Sequence, residues 1–238
     1  MKSSISITGV DSGNQGFEMK ISNPIQFYAT NYVKSKVFIF DEDWNYVSNK
    51  SFNKVNYMIS IENFFWISGD ENIWKTDEEL NVLIQYNSTG LTPGYTGLYF
   101  NSTNNLIYVA AYSLSLIKEF NLNVTVNDII STTPNYPLSI SGYNNQLYVS
   151  TESGMILVIV GKQIITNFNG CNGQINSMLF DGFDNMATVC DNFQLYLYNT
   201  NGDYLNKTIL TVDYPCFIGF DFKSRLVVVE DTQISLYY

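Results

Sequence analysis

The most telling residue type among those able to do chemistry in this 238-residue chain is the missing one: it contains no histidine. That removes the commonest general base, the usual activator of Ser and Cys nucleophiles, and the commonest transition-metal ligand. Carboxylate, phenol, amide and thiol groups remain. Acidic runs occur at Asp41-Glu42-Asp43, Asp70-Glu71 and Asp77-Glu78-Glu79. The first lacks the Gly and distal Glu of an EF-hand loop and reads as a hairpin tip. The other two form an acidic flank that would repel acidic partners and attract basic ones. Cys171, Cys190 and Cys216 are odd in number, widely spaced and without a CxxC pair. They read as buried thiols rather than a zinc site or disulfide framework, with a Cys171–Cys190 bridge as the alternative. No Gly-rich phosphate loop or GxSxG elbow is present.

Composition narrows the partners. Asp and Glu total 22 against 12 Lys and Arg, a net charge of −10. Basic residues this sparse and scattered cannot displace the counterions of a phosphate backbone, so neither nucleic acid nor an anionic membrane surface is expected. Aromatic residues make up 16% of the chain, a composition that favours pleated, half-buried strands over helices. The start, MKSSISITGVD, lacks the apolar core of a signal peptide, and no apolar run approaches transmembrane length. A soluble protein follows, cytoplasmic if the chain is complete.

The elements that position these groups recur. Short apolar strands begin at Phe27 (FYATN), Phe65 (FWISG), Leu106 (LIYVA), Leu147 (LYVST), Met186 (MATVC) and Leu226 (LVVVE), spaced 38, 41, 41, 39 and 40 residues apart. Such a period is that of four-stranded propeller blades. A preceding strand is recognisable as MISIE, GLYFN, PLSIS, NSMLFD and FIGFD, joined to the marker by Asn-, Asp- or Gly-containing turns. Third strands (KVFIFD, NIWKTD, SLIKEFN, MILVIVG, FQLYLYN, QISLYY) and fourth strands follow, the sixth repeat stopping after its third. The spare strand Ser3 to Thr8 would complete that last sheet, close the ring and cover an open edge. The predicted fold is therefore all-β: a six-bladed β-propeller of four-stranded antiparallel blades, residues 1–238 forming one domain. Only TDEELNVLI, near Thr76, competes as a helical turn.

The runs FDGFDNMATVCDNFQLYLYNTNG and SISGYNNQLYVSTESGMILVIVG resemble blades of the NHL, gluconolactonase-like and TolB-like propellers. WD40 and Kelch blades fit less well, for want of their Gly-His, Trp-Asp and Gly-Gly signatures. The gluconolactonase-like resemblance implies a divalent cation held in the channel by Glu, Asn and Asp of different blades. The corresponding positions here are Glu18, Thr96, Pro137, Asn176, Ser177 and Cys216, one carboxylate and one amide among apolar or neutral groups. A hard cation wants six to eight oxygens, several of them carboxylate. Neither a metal nor any other cofactor is expected.

Tyr95, Tyr136 and Tyr214 each precede a first strand, which places them on one mouth of the disc, with Asn176 and Ser177 facing the channel nearby. Trp44 and Tyr57 also fall outside strands and read as exposed. Exposed Tyr and Trp give large contact area at low entropic cost. The leading expectation is a non-catalytic binding module that recognises a protein or peptide, with a glycan as a further candidate, on one disc face. The alternatives are a metal-dependent hydrolase or lactonase-like enzyme with a channel-mouth site, and a structural or assembly component.

Overall fold

A computed structural model describes residues 2–5, 14–20, 25–89, 92–181, 184–209, 215–220, 226–230 and 234–237. Among the described residues, twenty-four strands form six antiparallel sheets of four. The chain enters through β1 (Lys2–Ile5) and then builds blade 1 from β2 (Asn14–Lys20), β3 (Gln26–Asn31), β4 (Lys36–Phe40) and β5 (Tyr46–Ser51). Blade 2 is β6 (Val55–Ile61), β7 (Phe64–Gly69), β8 (Asn72–Thr76) and β9 (Val82–Asn87). Blade 3 is β10 (Tyr95–Asn101), β11 (Leu106–Ala111), β12 (Leu116–Asn121) and β13 (Val126–Ser131). Blade 4 is β14 (Pro137–Tyr143), β15 (Gln146–Thr151), β16 (Met155–Val160) and β17 (Gln163–Asn169). Blade 5 is β18 (Ile175–Phe180), β19 (Asn185–Cys190), β20 (Gln194–Asn199) and β21 (Tyr204–Ile209). Blade 6 is β22 (Pro215–Phe220), β23 (Leu226–Glu230) and β24 (Ile234–Tyr237), with β1 as its outer strand.

The inner strands close a ring: β2 touches β6, contacts continue through β10, β14, β18 and β22, and β22 returns to β2. Six apolar clusters fill the gaps between successive blades. One of them unites Phe217, Val227 and Val229 of blade 6 with Phe27, Phe38 and Phe40 of blade 1. Cores of this kind, each shared by two sheets, explain why no single blade can bury its own faces. Closure is as expected: β1 pairs with β24 from Lys2↔Tyr237 to Ile5↔Ile234. The expected end of that strand, residues 6–8, lies outside the described residues.

Turns between third and fourth strands repeat one device. Asp41 Oδ1 accepts from the backbone N–H groups of Asp43 and Asn45, at 3.0 and 2.8 Å. Asp77, Asn121 and Asn199 do the same in blades 2, 3 and 5. This Asx geometry satisfies the turn without a metal, which fixes Asp41-Glu42-Asp43 as a hairpin tip. One residue of each turn takes a left-handed backbone, Trp44 in blade 1 and Leu80 in blade 2. Their side chains fold back into the inter-blade clusters, and Trp44 stacks on Phe27 at 4.1 Å. Trp44 is thus buried, contrary to its expected exposure. TDEELNVLI forms the Asp77 turn and β9 rather than a helical turn.

The cysteine expectation is also corrected. Cys171, in the link between blades 4 and 5, and Cys190, at the end of β19, form a disulfide, and Cys216 is a half-buried thiol.

Candidate functional site

Every inner strand carries a register shift immediately after its first residue. A bulge there re-aims the extra side chain. In blades 2 to 6 the first residue is buried (Val55, Tyr95, Pro137, Ile175, Pro215), and the second is half-buried (Asn56, Thr96, Leu138, Asn176, Cys216). Those second residues line a central cavity of about 60 Å³. Three of them are blade-to-blade clamps. Asn56 Nδ2 donates to the Tyr95 carbonyl at 2.7 Å, Thr96 Oγ1 to that of Pro137 at 3.4 Å, and Asn176 Nδ2 to that of Pro215 at 2.8 Å.

This geometry sorts the expected site residues. Thr96, Asn176 and Cys216 do line the channel. Asn176 is already engaged at both ends of its amide, since its Oδ1 accepts from Gln174 Nε2 at 2.8 Å. Ser177 does not face the mouth: it is fully buried, on the face of β18 that packs against its neighbours. Tyr95 is a further correction. It is fully buried because the first residue of an inner strand points between blades, and its hydroxyl accepts from the buried Lys118 ammonium. Burial pushes its phenol up. Tyr136 is on the mouth as expected, 45% exposed, with its ring 5.4 Å from that of Tyr112. Tyr57 is half-buried at the channel wall and packs edge-on against Phe217 at 5.1 Å. Tyr214 and the side chain of Glu18 lie outside the described residues.

A larger cavity, about 390 Å³, sits over the channel and is lined by Tyr32, Asn56, Asp70, Thr96 and Tyr112 among others. Three of its lining residues, Tyr32, Asp70 and Tyr112, share one position, the residue directly after each second strand. Successive blades place Tyr32, Asp70, Tyr112, Glu152 and Asp191 there, and the sixth, Asp231, lies outside the described residues. Tyr32 Oη donates to Asp70 Oδ2 at 2.8 Å, and Tyr112 Oη donates to Glu152 Oε1 at 2.6 Å. Each pair therefore bridges adjacent blades. Lys54 Nζ lies 4.6 Å from the centre of the Tyr32 ring and 3.3 Å from its hydroxyl.

The phenols are held protonated. The hydrogen bond to Glu152, then burial, pushes Tyr112 up to about 12, and burial with the Asp70 bond raises Tyr32. Around neutral pH both are donors, each set against an acceptor-only carboxylate. Glu71, next in sequence to Asp70, accepts from Thr92 Oγ1 at 3.1 Å and so tethers the loop that enters blade 3. The five described channel-lining second residues supply amide, hydroxyl, thiol and alkyl groups but no carboxylate, a donor set that does not fit a hard divalent cation. Among the described residues, no three His, Cys, Asp or Glu side chains come together in a metal-holding group.

Several solved structures share this architecture. A streptogramin B lyase is 12% identical with a TM-score of 0.74, over 99% of this chain and 96% of its own. A catalytically inactive virginiamycin B lyase from Staphylococcus aureus, with quinupristin, is 14% identical with a TM-score of 0.75, over 100% and 88%. The computationally designed Ika8 protein matches less fully, at 11% identity and a TM-score of 0.62, over 93% and 70%. What they share with the chain is the β-propeller fold. No protein-family model matches the chain, and no curated protein sequence does.

These likenesses overturn the leading functional expectation. The streptogramin B and virginiamycin B lyases, which it matches over nearly its whole length, are enzymes and not non-catalytic binding modules. They also sharpen what the missing histidine means. The inactive lyase carries a histidine-to-alanine change, and this chain has no histidine to stand in that role.

Proposed function

We propose that this chain is an enzyme that breaks a bond in a small molecule at the channel mouth, using carboxylates and phenols in place of histidine. The observation that carries the reading is the pair of Tyr–carboxylate bridges, Tyr32–Asp70 and Tyr112–Glu152, of which Tyr32, Asp70 and Tyr112 line the 390 Å³ cavity. The full-length likeness to lyases supports an elimination. In that reaction Asp70, oriented by the Tyr32 hydroxyl, takes a proton from carbon, and the C–H electrons form a C=C bond as the neighbouring C–O bond breaks. The Tyr112 phenol, kept protonated, turns to hydrogen-bond the oxygen that departs with the electrons of the broken C–O bond. Positioned acid–base groups of this kind are worth about a hundredfold or more in rate. No step passes through a metal.

The single closed ring supports reading the chain as one domain. The Cys171–Cys190 bridge favours an oxidising compartment over the expected cytoplasmic one. No described helix is long and apolar enough to cross a membrane.

The test is incubation with quinupristin and a panel of small esters and lactones, read by mass spectrometry. Cleavage of at least one compound is expected, reduced about a hundredfold by Asp70→Asn. Intact compounds throughout, or cleavage indifferent to that substitution, would overturn the reading.

A further inference from the structure

A second cavity, about 530 Å³, opens between blades 3 and 4. Its walls include the tips of the β10–β11 and β14–β15 hairpins and the β16–β17 turn, so it lies at the strand ends remote from Tyr112 and Glu152. The floor holds a charge that the fold does not require. Glu119, on β12, is 2% exposed and accepts from Asn127 Nδ2 of β13. The third-strand positions equivalent by register, just before each bulge, carry Ile39, Lys75, Val158 and Leu197. Taking a carboxylate out of water costs several kcal/mol unless it is paired. Among the described residues no ion pair engages Glu119; its other neighbour is the Tyr108 phenol, which hydrogen-bonds it and itself accepts from Asn104 Nδ2 at 3.1 Å. Lys162, which also lines the cavity, is bound to Asp128 at the rim.

The remaining groups define what would fit. Asn101 and Asn104 spend their Oδ1 atoms on their own turn, accepting from the backbone of Thr103 and Leu106 at 3.0 and 3.1 Å. That leaves the Asn101 amide N–H₂, the Thr103 hydroxyl and the Asn145 amide to meet Glu119 across the space, over walls of Leu106, Ile130 and Leu147. Asn145 stands at the tip of a two-residue turn in which it and Asn144 both have left-handed backbones. An anion would meet Glu119 with Asp128 close by, a bare cation would meet Lys162, and an apolar ligand would strand the amides without partners. Interleaved donors and acceptors above apolar walls suit a neutral ring bearing several hydroxyls. We infer that this cavity is a binding site for a single sugar ring, with Glu119 accepting from its hydroxyls and Asn101 and Asn145 donating to them. The inference is independent of the chemistry at the mouth.

Saturation-transfer NMR on the full chain tests it, with D-glucose, D-galactose, D-mannose and N-acetyl-D-glucosamine as probes and glycine and methylamine in parallel. At least one sugar should receive saturation, with about tenfold weaker binding in Glu119→Gln and in Asn145→Gly. The second variant removes only a side chain at a left-handed turn position, so it decides the matter if the first fails to fold. Tyr112→Phe, on the other face, should leave the sugar signal unchanged. The inference is overturned if no sugar receives saturation, if glycine or methylamine does so instead, if Asn145→Gly binds as wild type does, or if Tyr112→Phe abolishes the signal.

Discussion

Removing residues 1–5 should open the ring, and the cost can be worked from the pairing. β1 meets β24 over four residue pairs, Lys2↔Tyr237 to Ile5↔Ile234. That ladder holds about four backbone hydrogen bonds, each worth about 0.5–1.5 kcal/mol net, so the loss is about 2–6 kcal/mol. Folded domains have only about 5–15 kcal/mol in hand. For a chain of this size each kcal/mol moves Tm by about 2–4 °C, so a fall of at least about 4 °C is expected. The truncation also bares the edge of β24, which should promote self-association. Differential scanning calorimetry reads the first effect and light scattering the second. A truncated chain that melts within about 2 °C of the full one, and stays monodisperse, would show that β1 does not hold the ring closed.

Three further outcomes follow from the packing. Reduction of the Cys171–Cys190 bridge, which spans 19 positions, should cost about 3 kcal/mol by loop-closure entropy, visible as a lower Tm in dithiothreitol. Gly97→Ala should destabilise by about 1–3 kcal/mol, since an added Cβ would come within 2.7 Å of the Leu138 carbonyl oxygen on the next inner strand, and urea unfolding measures it. Alkaline pH should weaken the fold. Burial raises Tyr28 and Tyr198 to about 12, above the ordinary value of 10.0, so the unfolded chain gives up these protons first. Their stabilising contribution is complete below the unfolded value and is lost as pH rises through the folded one. The fall between about pH 10 and 12 should be shallower in Tyr28→Phe, as denaturant titrations at several pH values would show.

Most of the scaffold was legible in the sequence because the second strands announce themselves as buried apolar runs at a fixed period. The closing strand was legible because the sixth repeat ends one strand short. Side-chain direction was less so. Tyr95 precedes an apolar run and looked like a loop residue, yet it is the first residue of β10, where the bulge that follows turns the next side chain, Thr96, into the channel. Trp44 looked exposed in a polar turn, but its left-handed backbone sends the ring back onto Phe27. The mouth was missed for a different reason. Tyr32, Asp70, Tyr112, Glu152 and Asp191 share a position but not a residue type, so no motif marks them. Aligning the six second strands and reading one residue past each would have found the ring. The Cys171–Cys190 bridge depends on the link between β17 and β18 passing the end of β19, where Cys190 pairs with Ile175, and spacing alone does not reveal that.

The proposed histidine-free catalysis is assigned to the mouth, beside the Tyr–carboxylate bridges. Its most direct measurement is kcat on a compound the wild type cleaves, compared in Asp70→Asn, Tyr112→Phe and the opposite-face variant Asn145→Gly, with Tm recorded for each. A loss of about a hundredfold is expected in the first two at nearly unchanged Tm, with an unchanged rate in the third. Equal rates in all three would place the chemistry elsewhere and contradict that assignment.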